Sequence, residues 1–146
     1  MKKLLTVLAL AAAFTTGASA QTPAPSTMSK ELTSLQGTWL LTTVNDQNLA
    51  DQGVEMALVI EGNQYKQVVN GTVDETGTVK VDPAKKPMSF DLTILEGNDA
   101  GKVQLGIIEV TGDVAKGLLA EPGGTTRPAD FNSNDGAIFF IAKRVK

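Results

Sequence analysis

From Gly37 to Arg144 apolar and polar residues alternate with a period of two, and no long stretch carries a helical period. The alternation predicts strands over about 38–45, 56–62, 64–69, 72–82, 88–95, 103–111, 114–120 and 137–144. Specific turn chemistry separates them. Asn70-Gly71 is a strong two-residue hairpin signal, because both residues accept positive φ, and Gly62-Asn63 and Gly112-Asp113 suit primed turns in the same way. Asp82-Pro83 and Lys86-Pro87 bracket a rigid loop, since proline donates nothing to a ladder. Upstream, Ser29 is placed to cap a brief helix running through Gln36, with Leu32 and Leu35 one turn apart; a plain linker is the alternative. Eight short strands with tight turns make an all-β fold, an antiparallel up-and-down barrel or a sandwich. The even strand count favours the eight-stranded barrel, with a short N-terminal helical turn.

The same alternation sorts the faces. Met56, Leu58 and Ile60 share one side of their strand, as do Met88, Phe90, Leu92 and Ile94 of theirs. A two-residue loop at Gly112-Asp113 sets Glu109 opposite Lys116, and that pair belongs in water. This register turns Gly106, Ile108, Val110, Ala115, Gly117 and Leu119 inward. The expected interior therefore includes Met56, Leu58, Ile60, Phe90 and Leu92 from the earlier strands. Ile108, Ala115, Gly117, Leu119 and Phe140 complete it. Small residues in a barrel of eight strands leave room for one small ligand. Equally, they accommodate bulky Phe90, Phe140 or Met56 across the barrel. Leu40, Val59, Ile107, Leu118, Phe139 and Ile141 point outward in these registers. They are scattered surface residues, a contiguous partner patch, or the mark of a one-residue slip.

Composition adds an address. Lys2-Lys3, the apolar run from Leu4 to Phe14 and Ala18-Ser19-Ala20 form a secretory signal peptide over residues 1–20, of bacterial style, with cleavage after Ala20. The apolar run is short for a membrane span, so no stable membrane insertion is expected once it is cut. Residues 21–29 read as a disordered Pro/Ser/Thr tether and 30–146 as one domain. The expected localisation is secreted or periplasmic. Without Lys2 and Lys3 the chain has 11 basic and 16 acidic residues, which disfavours nucleic acid as a partner.

The chain contains no histidine and no cysteine. That removes disulfides, Ser-His and Cys-His pairs and the common zinc and haem ligands, so no cofactor and no metal are expected. Paired carboxylates remain as catalytic chemistry, with Asp82, Asp91 and Glu109 on strands, but Asp91 and Glu109 face outward by the alternation. Asn132–Gly136 and Glu96–Asp99 have oxygen ligands without the spacing of a calcium loop, and both read as turns. Arg127 lies in the long 121–131 loop and is one of two arginines. Its guanidinium is suited to fork onto a ligand carboxylate or phosphate, or else to tie the loop to Asp130 or Glu121.

Gly37-Thr38-Trp39 on the first strand and Arg144 ending the last resemble the floor of lipocalin-like barrels, where the arginine stacks on the indole. Such a contact contributes about 0.5–2 kcal/mol. The runs GTVKVDPAKKPMSFDLT, GKVQLGIIEVTGD, LAEPGGTTRPADF and IFFIAKR, with the opening ELTSLQGTW, resemble a planctomycete-rich family of lipocalin-like secreted domains. The likeness covers roughly residues 30–145 and implies the barrel fold and secretion, with no settled activity. By this resemblance Gly37, Trp39 and Arg144 form the structural floor, and the Asp46–Gly53 connection is either a lid over the open end or a surface turn. Ala115 and Gly117 depart from the larger apolar residues of that pattern, and Leu40 from its frequent charged residue. The expected function is non-catalytic binding of a small apolar or amphipathic ligand in the barrel. The alternative is a protein-interaction or inhibitor module with a solid barrel, which leaves a protein partner or a homodimer open.

Overall fold

The computed structural model describes residues 28–132 and 136–146. The expected signal peptide, residues 21–27 of the expected tether and the centre of the 132–136 turn lie outside the described residues. A five-residue helix, α1 (Lys30–Ser34), precedes the sheet. The strands are β1 (Gly37–Val44), β2 (Gln47–Asn48), β3 (Met56–Glu61), β4 (Gln64–Val69) and β5 (Thr72–Asp82). They continue as β6 (Met88–Glu96), β7 (Val103–Gln104), β8 (Gly106–Thr111), β9 (Val114–Leu119) and β10 (Ile138–Arg144). The hydrogen-bonded order is β10-β9-β8-β6-β5-β4-β3-β1, and β10 pairs back onto β1. This is a closed, eight-stranded, antiparallel up-and-down barrel, with two-residue β2 and β7 as additions on β1 and β6.

Local chemistry explains the element ends. Ser29 Oγ accepts the Leu32 amide at 3.2 Å, so the expected cap forms, although the helix closes at Leu35 rather than Gln36. Asn70 and Gly71 both have positive φ, as their hairpin requires. At the Gly112-Asp113 hairpin Glu109 pairs with Lys116, the expected register.

The expected 103–111 strand is interrupted at Leu105. The pairing register with β6 is the same on both sides of the break, so no residue is inserted. Instead side chains take over the ladder groups of Gly106. Its amide donates to Asp91 Oδ1 at 3.4 Å, and its carbonyl accepts from Arg127 at 2.8 Å.

The end of the barrel carrying α1 is its floor. Trp39 is 2% exposed, and its indole N–H donates to the Leu35 carbonyl at 2.8 Å. The Arg144 guanidinium lies 4.3 Å from the ring centroid and donates to the Gln36 and Ser34 carbonyls at the helix end. Gln36 extends the contact by bonding both the amide and the carbonyl of Gly62 in the β3–β4 turn. Gly37 takes φ +112°, a backbone state that other residues rarely adopt, so the Gly-x-Trp pair has a stereochemical cause. Where β5 bends across β6, a Cβ on Gly77 would stand 1.9 Å from the Thr93 carbonyl oxygen, and only glycine permits that approach.

Replacing Trp39 by Ala is expected to lower the unfolding free energy by about 3–5 kcal/mol. Because Trp39 is the only tryptophan, denaturant unfolding followed by circular dichroism is the check. A loss below about 1 kcal/mol would mean that the floor is not built on the indole.

Candidate functional site

An apolar cavity of about 250 Å³ occupies the half of the barrel away from α1. Its walls come from strand ends at that mouth: Leu41 and Val44 of β1, Met56 at the start of β3, Leu119 closing β9, and Ile138 and Phe140 opening β10. Leu58, Phe90 and Leu92 form its inner wall. Of the interior residues expected from alternation, Met56, Leu58, Phe90, Leu92, Leu119 and Phe140 line this space.

Ile60, Ile108, Ala115 and Gly117 do not line it. Ile60, Ile108 and Ala115 pack with Trp39, Tyr65 and Ala142 toward the floor, where Ile108 also borders an opening shared with Met88, Val110 and the Glu31 and Ser34 side of α1. A Cβ on Gly117 would stand 2.2 Å from the Phe140 ring, and one on Gly106 would stand 2.5 Å from a Leu119 methyl. Of the two readings left open for the small residues, accommodation of bulky neighbours describes Gly106 and Gly117, which receive Leu119 and Phe140.

Two carboxamides break the apolar lining, Gln67 on β4 and Gln104 on β7. Gln67 Nε2 donates to Asp74 Oδ2 at 3.3 Å, and Gln104 Nε2 donates to the Ala120 carbonyl at 3.2 Å. Neither was among the expected site residues. Gln67 was legible, because it shares the inward face with Tyr65 and Val69. Gln104 follows from the parity of Gly106 and Ile108. Nearby, buried Tyr65 donates its hydroxyl to Glu75 at 2.7 Å. Burial, together with that carboxylate, pushes the phenol pKa well above its ordinary value and holds it neutral.

The first connection contributes no lid to this space. Its residues Asn48, Ala50, Gly53 and Val54 line a groove with Leu40, Thr42 and Lys143 beside β1, outside the barrel, and Leu49 is buried at 9% exposure.

Arg127 ties its loop down, though not to Asp130 or Glu121. It forks onto both oxygens of Asp91 on the outer face of β6, one contact short and the other at 2.9 Å. The hydrogen bond that Arg127 donates to Asp91, together with the carboxylate's charge, raises the Arg127 pKa further. Further along the loop Lys116 Nζ lies 4.4 Å over the Phe131 ring, and Pro128 is buried. These contacts set the loop on the outer face of β8 and β9. Ile107 and Leu118 do point outward, paired with each other, yet they are only 2% and 3% exposed and stand apart from the barrel core. A second, small apolar layer between loop and sheet accounts for them, so they are not surface residues. Leu40, Val59, Phe139 and Ile141 remain half-buried.

Among the described residues no three of Asp, Glu, His or Cys gather as metal ligands. Asp91 and Glu109 lie on the outer face as expected, and Asp82 accepts the Ala84 amide in the turn after β5. No described helix is long and apolar enough to cross a membrane. No family model, no curated protein and no solved structure matches the chain.

Replacing Arg127 by Ala is expected to release the 121–131 loop and expose Ile107 and Leu118. Amide exchange in that loop should accelerate at least tenfold while the β3–β4 hairpin keeps its protection. Unchanged exchange would mean that the Asp91 fork does not hold the loop.

Proposed function

We propose that the chain is a secreted, lipocalin-like, non-catalytic binding protein, exported by a bacterium, that holds a small and mainly apolar molecule in the mouth of its barrel. The observation that carries this reading is the apolar cavity of about 250 Å³, backed by the buried cluster around Trp39. Its size falls just under the roughly 300–1,000 Å³ of sites for drug-sized molecules, so the ligand is small or enters with one end only. The alternative, an interaction module acting through an exposed apolar face, loses its two central residues. Ile107 and Leu118 are covered by the chain's own loop, and the patch that this reading needs is reduced to half-buried Leu40, Phe139 and Ile141.

Native mass spectrometry of the exported protein, purified without detergent, tests the proposal. A reproducible added mass that disappears on denaturation is expected. An Ile138→Trp variant, which fills the mouth from the first residue of β10, should fold with an unchanged circular dichroism spectrum and lose that mass. A bare mass for the wild type, or an adduct that survives in the variant, would argue against the cavity as the binding site.

A further inference from the structure

The two carboxamides on the cavity wall carry a statement about the ligand's polar end, resting on the binding reading above. Each amide nitrogen is engaged by a group that can only accept: the Asp74 carboxylate for Gln67 and the Ala120 carbonyl for Gln104. That fixes which way each amide faces and leaves its carbonyl oxygen over. Among the described residues no donor bonds to either oxygen. No fully buried side-chain oxygen or nitrogen lacks a partner, so both oxygens keep accessible surface on residues that line the cavity, although Gln104 as a residue is only 7% exposed.

No charged residue lines the cavity, and the charged groups bonded to its wall and to nearby Tyr65 are carboxylates. Asp74 holds Gln67, Glu75 accepts from Tyr65, and no lysine or arginine lines the cavity. A carboxylate brought here would meet two acceptor oxygens and two acidic neighbours with no cation to pair with, and an unpaired charge in apolar surroundings is strongly disfavoured. A hydroxyl or N–H group would instead satisfy an open acceptor.

We infer that the cavity selects molecules with an apolar body and a hydrogen-bond donor at one end, of the alcohol class, and rejects carboxylates of the fatty-acid class. The carboxamides then act as the specificity-determining residues. The apolar wall supplies most of the affinity, which is nearly blind to the head group. The open amide oxygens supply the difference, because leaving a polar group unpaired discriminates more sharply than a missing methylene.

Isothermal titration of the full mature domain with three probes of similar size tests this: octan-1-ol, heptyl methyl ether and octanoate at pH 8. Octan-1-ol is expected to bind at least tenfold more tightly than the ether, with octanoate weakest. In Gln104→Leu and in Gln67→Leu the alcohol should lose its advantage while the ether binds as well as before or better. Two variants are used so that misfolding of one leaves the other, and the wild-type ranking stands without either. Octanoate equal to or tighter than the alcohol, or ether and alcohol binding alike, would overturn the donor rule while leaving the cavity as a binding site. Binding of none of the three would overturn both readings together.

Discussion

The guanidinium of Arg144 on the face of Trp39 is the contact on which the rest of the barrel depends. A meander of strands closes only if the last meets the first, and here the pairing of β10 with β1 ends at the pair Trp39 and Arg144. The arginine does more than cover the indole. It reaches the carbonyls at the end of α1, and with Lys146 it faces Asp113 in the β8–β9 turn, whose carboxyl is held below its usual range chiefly by the Lys146 hydrogen bond. Helix, first strand, last strand and one hairpin turn are thereby joined at one end of the molecule. Gln36 adds the β3–β4 turn through both groups of its amide.

A barrel anchored so completely at one end divides into two unlike halves. Toward the floor Ile60, Tyr65, Ile108, Ala115 and Ala142 form one buried cluster with Trp39, and Phe140 occupies the volume that Gly117 vacates. Toward the mouth the strands end in Leu, Ile and Met side chains that do not meet across the middle, and the cavity is the result. On the outside the Arg127 fork lays a long loop over Ile107 and Leu118. The apolar surface that would otherwise invite association is used within the chain, and the apolar cavity stays inside.

Much of this was legible in the residues. Period-two alternation located all eight long strands, because a strand with one dry face cannot slip by one residue without turning its apolar set to water. Ser29, Asn70-Gly71 and Gly112-Asp113 marked ends through chemistry local to each turn. What escaped were features created by residues distant in sequence. The gap at Leu105 arises from Asp91 and from Arg127, 36 positions further on. The irregularity between Leu41 and Thr43 resets the parity of β1 and turns Val44 inward, which no alternation pattern announces. The position of the cavity depended on whether Gly117 faced a void or a ring, a question that pairing with Phe140 answers and composition does not.

The division into a packed cluster around Trp39 and a hollow mouth is the central claim, and methyl NMR under xenon pressure tests it most directly. Xenon is neutral and enters apolar space of this size without asking for a hydrogen bond. Its methyl shifts should concentrate on Leu92, Leu119 and Ile138 and leave Ile60, Ala115 and Ala142 unmoved. Shifts spread equally through both halves, or absent from the mouth, would contradict the account.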